Sequence, residues 1–106
     1  MTAQSHPASR LDETVHQRVR LGILGILSEA GRASFTYLRD GLGVTDGNLS
    51  AHLQVLAAAG LVDVDKEFID RKPRTWVRAT RRGRETFKVE MATLSELVTR
   101  YGAKRA

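Results

Sequence analysis

The sequence predicts a mainly α-helical domain that carries one small β-hairpin, an α+β arrangement. Apolar residues recur at helical spacing over 11–30, 34–42, 45–59 and 81–101. Between the last two stretches the pattern changes to strand-like runs, Leu61-Val62-Asp63-Val64 and Thr75-Trp76-Val77-Arg78-Ala79. Capping residues and glycines mark the helix ends.

The bulk numbers narrow the class. A chain of 106 residues makes one domain with a modest core, so association with a second copy adds useful burial. Lys and Arg number 17 against 12 Asp and Glu, giving a charge of +5. That balance favours an anionic partner such as nucleic acid. The absence of cysteine excludes disulfides, thiolate metal sites and cysteine nucleophiles. No apolar run approaches the roughly 20 residues that span a bilayer. Met1 to Arg10 is polar, with no apolar signal core. A cytoplasmic protein without a membrane partner is expected.

Residues 1–10 read as a flexible arm, with His6 solvated. The first helix is expected over 11–30, capped by Ser9 or Asp12 and ended by Gly31. Leu11, Val15, Val19, Ile23 and Ile26 form one row, and Leu24 and Leu27 widen it, so this helix is buried on more than one side. Gly22 and Gly25 are costly in a helix; close approach by a neighbour would explain them, and so would simple tolerance. Ser34 caps a short second helix whose buried side is Phe35, Leu38 and Leu42. A tight turn through Gly43 leads to the third helix, 45–59, capped by Thr45 or Asp46. Leu49, Leu53 and Leu56 are its apolar stripe, and Gly60 ends it. Two helices joined this way form a helix-turn-helix.

The strands then make a hairpin with a basic turn at Arg71-Lys72-Pro73-Arg74, and alternation sets Trp76 and Val77 on opposite faces. Thr80 caps the last helix, 81–101, where Phe87, Met91, Leu94, Val98 and Tyr101 recur at spacings of four and three. That is a helix–helix seam. It points to a dimer interface, with Leu11 and Val15 of the first helix beside it. Packing on the chain's own first helix is the alternative. A short basic tail, 102–106, follows.

The outer face of the third helix carries Asn48, Ala51 and Gln54, flanked by Ser50 and His52. Solvated faces usually carry Lys and Glu; short hydrogen-bonding groups beside small residues suit a closely approached surface such as a major-groove floor. An ordinary amphipathic helix with a mild polar side is the other reading.

These residues carry a resemblance. Asn48-Leu49-Ser50-Ala51-His52-Leu53-Gln54-Val55-Leu56, followed by Ala59-Gly60-Leu61-Val62, resembles the recognition helix and following strand of the winged helix-turn-helix transcriptional regulators. The arsenic-repressor-like and multiple-antibiotic-resistance-regulator-like groups look most similar. The hairpin at 65–78 and Thr80-Arg81-Arg82-Gly83-Arg84 match the wing and the helix after it, so the resemblance covers about 11–101. It implies a homodimeric repressor that reads an inverted repeat in double-stranded DNA, with 45–59 in the major groove and wing 65–78 on the flanking backbone or minor groove. Thr45, Asp46, Asn48, Ser50, Ala51, His52 and Gln54 would meet the major groove and its phosphates; Asn48 and Gln54 suit base edges, because an amide pairs bidentately with adenine. His52 could instead lean on the preceding helix. Arg71, Lys72 and Arg74 would make the wing contacts. Two positions depart from the pattern: Ala51 stands where many relatives carry Arg or Lys, and Asp46 adds a negative charge.

Metal-sensing relatives use ligand sets on terminal helices. Here only His16 with Glu90 or Glu96 suggests a pair, so neither metal nor cofactor is expected. A small-molecule effector of unspecified chemistry could bind between the first and last helices. An enzyme is not expected: there is no convergent carboxylate pair, and Gly41-Leu42-Gly43 lacks the preceding strand of a nucleotide loop. The competing class is a winged-helix module that binds protein and no DNA.

Overall fold

The computed structural model describes residues 6–102. A short 3-10 helix, Pro7–Arg10, precedes α1 (Arg18–Ala30), β1 (Arg32–Ser34), α2 (Phe35–Leu42), α3 (Asp46–Ala58), β2 (Val62–Ile69), β3 (Lys72–Ala79) and α4 (Arg81–Tyr101). The three strands form one antiparallel sheet in the order β1-β3-β2. With β2 and β3 as the wing, this is a winged helix followed by a long C-terminal helix.

The core lies where α1, α2, α3 and the base of the sheet meet. Ile23, Leu24, Leu38, Leu49, Leu56 and Val77 are wholly buried there. The leucine stripe of α3 faces inward as its spacing requires, and Val77 is buried on the sheet face opposite Trp76. Close approach bears on Gly22, where a Cβ would meet Leu42 Cδ2 at 2.5 Å; one on Gly25 would make only an ordinary contact with Phe87 Cζ at 3.5 Å, so that glycine is simply tolerated.

The helix expected from residue 11 begins only at Arg18. Asp12 caps a turn instead, its Oδ1 accepting from the N–H of Thr14 and Val15 at 2.8 and 3.2 Å. Gln17, extended at φ −140°, is the true cap, its side chain accepting from Val19 and Arg20. Neither Ser9 nor Asp12 caps α1.

Residues 6–10 do not behave as a free arm. Pro7 is buried, and the segment is tied along α4 by His6 Nε2 to the Tyr101 hydroxyl at 2.6 Å and by Arg10 to Glu96 at 2.6 Å. His6 is therefore bonded rather than merely solvated. Further along, Glu90 of α4 is 1% exposed. Its Oε1 accepts from the Asp12 N–H at 2.9 Å, and its Oε2 lies 3.0 Å from His16 Nδ1, a contact poorly aligned as a hydrogen bond. Partners 74 or more residues away in sequence supply each of these ties, so no local pattern announces them. The first half of the expected arm, 1–5, and the tail, 103–106, lie outside the described residues.

The wing also differs from expectation. Its turn is Asp70-Arg71, both at positive φ, 52° and 65°. That is the geometry of a two-residue hairpin turn matched to strand twist. Lys72, Pro73 and Arg74 belong to β3, with Pro73 opposite Phe68. Pro73 is tolerated because β1 pairs only with 76–78, which leaves the other side of β3 open at Pro73. Strand β1 is too short at three residues to produce a readable alternation.

Candidate nucleic-acid interface

Helix α3 and the wing present one continuous surface. Thr45 is the cap of α3, its hydroxyl accepting from the Asn48 N–H at 3.1 Å. Asp46 is thereby released from capping and accepts from Arg39 Nη1 of α2 at 2.9 Å. Arg39 also bonds Asp40, and that bond and the Asp46 bond together raise its pKa. The negative charge at Asp46 therefore meets a cation of the same chain at the surface. Beyond it, Asn48, Ser50, Ala51 and Gln54 are all exposed and unobstructed, in keeping with the side of α3 opposite its leucines. Ala51 leaves a shallow step among hydrogen-bonding groups.

His52 sits lower, half-buried against α1. Its Nδ1 is 3.1 Å from Arg20 Nη1, while Arg20 Nε donates to the Thr14 carbonyl at 2.6 Å. A guanidinium can only donate, so Nδ1 must be the unprotonated acceptor and Nε2 carries the hydrogen. Burial, then the charges of Arg20 and Arg18, lower the His52 pKa. The imidazole is held neutral, and at least one of its nitrogens belongs to the fold.

The strand register sorts the wing into two faces. Val64, Lys66, Phe68, Pro73, Thr75 and Val77 share one; Asp65, Glu67, Lys72, Arg74, Trp76 and Arg78 share the other. The first face turns toward α3: Val64, Lys66 and Thr75 line a 570 Å³ cleft together with Phe35, Asp46, Ser50 and Gln54. Lys72 and Arg74 lie on the second face. Arg74 stands 6.0 Å over the Trp76 ring, with Arg32 over the same ring at 4.0 Å. Arg74 also borders a smaller cleft of 290 Å³ with Ser34, Thr36 and Pro73 at the start of α2. Arg71 is at the exposed turn. The basic residues expected to act together are therefore split between tip and outer face. Lys66 and Thr75 also face α3, and alternation alone carries that signal: Thr75 is two residues from buried Val77 and Lys66 two from its partner Val64. Exposed Tyr37 on α2 was also passed over.

The expected dimer residues divide as well. Val15 is wholly buried in the chain's own core and has no surface to offer a second copy. Phe87 packs against Gly25 of α1. Leu11, Met91 and Leu94 are half-buried, while Val98 and Tyr101 are 65% and 66% exposed. The seam thus begins as an intramolecular contact and ends uncovered. Among the described residues no group of three or more His, Asp or Glu could hold a metal ion, and no helix is long and apolar enough to cross a membrane.

Residues 19–98 match the family model described as "Winged helix DNA-binding domain". The chain belongs to that winged helix family. Its match spans α1 to near the end of α4, so the helix-turn-helix, the wing and most of the C-terminal helix are covered. An uncharacterized protein of Methanocaldococcus jannaschii is 39% identical over 70 residues, 66% of this chain and 76% of that protein. The solved structure of a transcriptional regulator homologue from Pyrococcus horikoshii OT3 superposes with a TM-score of 0.81 at 34% identity, covering 87% of this chain and 91% of that one. The homodimeric winged helix-turn-helix DNA-binding domain of a possible ArsR-family regulator from Mycobacterium bovis shares the fold, with a TM-score of 0.69 at 20% identity over 99% and 100% of the two chains. This winged helix protein is a DNA-binding transcriptional regulator by family.

Proposed function

We propose that the protein is a homodimeric repressor that reads an inverted repeat, with α3 in the major groove and the wing beyond the flanking backbone. The observation that carries this reading is the α3 face: exposed Asn48, Ser50, Ala51 and Gln54 beside a cleft bordered by Lys66 and Thr75. Asn48 and Gln54 read base edges, each good bidentate pair discriminating by ~1–3 kcal/mol. Thr45, Ser50, Lys66 and Thr75 hold phosphates, which fix register without reading sequence. Asp46 stays near the DNA as a partner of Arg39, and His52 orients α3 through Arg20. Arg71 reaches out from the tip, and Lys72 and Arg74 take more distant backbone.

Dimerisation rests on the seam from half-buried Met91 and Leu94 to its uncovered end at Val98 and Tyr101. The homodimeric state of the Mycobacterium bovis domain supports it. Two-fold symmetry sets the half-sites about one helical turn apart, roughly 34–36 Å. A small-molecule effector would act beyond the Phe87–Gly25 contact, where the α1 and α4 helices of the two copies diverge. The protein works by occupying a promoter, with no catalytic step.

The test is selection from randomised duplexes at near-physiological salt, using the wild type, Gln54→Ala and Val98→Arg. Enrichment of a palindrome whose half-site preference relaxes in Gln54→Ala is the expected result. Val98 is exposed, so Val98→Arg should fold normally, sediment as a monomer and bind the palindrome at least tenfold more weakly. Binding seen only at low salt and without an enriched sequence would count against specific recognition.

A further inference from the structure

Phe68 is 74% exposed, more than any other large apolar side chain of the described residues. It lies one residue pair from the wing tip, opposite Pro73. The tip itself is a turn of two exposed residues at positive φ, the tight closure that a twisted hairpin favours. That shape is a narrow two-residue end with an apolar ring just behind it.

We propose that Phe68 enters the minor groove as an apolar wedge next to each half-site, and that it selects easily unstacked base steps there. The inference rests on the DNA-binding reading and extends it to a residue with no hydrogen-bonding group. Three relations support DNA as the occupant. First, Phe68 shares its sheet face with Lys66 and Thr75, which border the cleft facing Ser50 and Gln54 of α3. Second, in a duplex one phosphate backbone always separates the major groove from the next minor groove. With α3 in the major groove, that backbone runs through the cleft. Two residues further along an antiparallel strand is about 7 Å, which carries Phe68 past the backbone toward a groove ~6 Å wide. Third, the cation Lys66 lies on the ring's own sheet face and Arg71 stands beside Asp70 at the tip, whereas Glu67 and Lys72 point from the opposite face of the hairpin. Apolar side chains inserted between base steps unstack and kink DNA, and pyrimidine–purine steps yield most readily. Phe68 therefore adds a preference at positions that no polar side chain of the wing reads.

The experiment uses the full chain and duplexes enriched by the wild type, carrying 2-aminopurine in the flanks of the half-sites. Phe68→Ser should bind about tenfold more weakly, keep the salt dependence of the wild type and lose flank preference while retaining the core half-site. Phe68→Leu should keep most of the affinity. Wild-type binding should raise 2-aminopurine fluorescence at one flank step, and Phe68→Ser should not. Lys66→Ala should instead flatten the salt dependence by about one phosphate contact. Equal affinity and equal flank preference for Phe68→Ser and wild type would overturn the wedge while leaving DNA recognition standing. A change in oligomeric mass with unchanged DNA affinity would overturn it in favour of a protein contact. Failure of the wild type to bind any duplex would overturn both readings together.

Discussion

Gly83→Ala should destabilise the fold, although glycine-to-alanine in a helix normally does the reverse. Gly83 lies in the first turn of α4, where the helix is clamped to the corner between α3 and β2. Thr80 N–H donates to the Leu61 carbonyl at 3.0 Å, and the Thr80 hydroxyl donates to the Gly60 carbonyl at 2.7 Å while accepting from the Gly83 N–H at 2.9 Å. A Cβ on Gly83 would overlap the Leu61 carbonyl oxygen and come within 2.9 Å of its carbon. The obstacle is backbone, itself held by Leu61 N–H to the Leu56 carbonyl at 2.9 Å, so it cannot swing aside. Overpacking of this kind costs ~1–3 kcal/mol. Moving the helix start would also loosen the Thr80 bonds, each worth ~1 kcal/mol. Against this stands a propensity gain of at most ~1 kcal/mol. The net loss is about 2 kcal/mol, which lowers Tm by roughly 10 °C in a domain of this size. Gly47→Ala is the control: it too lies in a first helical turn, but nothing stands within 4 Å of its Cβ position. It should leave Tm unchanged or raise it by a few degrees. Thermal and urea unfolding of wild type and both variants, at equal protomer concentration, measures the contrast. If Gly83→Ala melts at or above the wild type, or if both variants shift alike, the clamp does not constrain α4 as argued.

Two further outcomes follow from the polar contacts around α1. Because His52 has a lowered pKa when folded, the unfolded chain binds more protons near pH 6.5. Its contribution to stability is then fully present above the unfolded value of about 6.5 and is lost as pH falls through the folded pKa. His52→Gln, which still accepts from Arg20, should therefore unfold with a flatter pH dependence between pH 7.5 and 5, and an unchanged profile in urea titrations would remove His52 as the source. Glu90→Ala should cost about 2 kcal/mol in urea unfolding, because it strands the Asp12 N–H and leaves a gap where the buried side chain stood. Glu90→Gln keeps an acceptor for Asp12 and should cost clearly less; equal losses would mean that the carboxylate charge, not the Asp12 bond, is what matters.

Much of this protein was legible without coordinates wherever the controlling interactions are local. The leucine stripe of α3, the caps at Ser34, Thr45 and Thr80, and the opposite faces of Trp76 and Val77 depend on helix and strand periods and on side-chain oxygens meeting N–H groups three residues on. Family motifs in α3 added the winged helix itself. The features that went wrong are set by distant partners. Residues 11–17 have helical spacing, yet Asp12 and His16 are drawn to Glu90 on the far helix, and Gln17 takes the cap. The wing turn moved because Pro73 is unwelcome in a strand only where its missing N–H has a partner, and β1 stops short of it. With the turn at Asp70-Arg71, Lys72 and Arg74 join β3 on the face away from α3, and Arg71 is left at the tip.

Repeat period and capping chemistry act within a few residues, so the helix-turn-helix, the hairpin, the caps and the open short-chain face of α3 are written in the order of the residues alone. Folding in three dimensions is what lets Arg20 hold His52, brings Arg39 to the charge of Asp46, takes Val15 into the core and turns the Lys66 face of the wing toward α3. Each of these depends on which groups separate elements bring within a few ångströms of one another, and one-dimensional spacing carries no such distance.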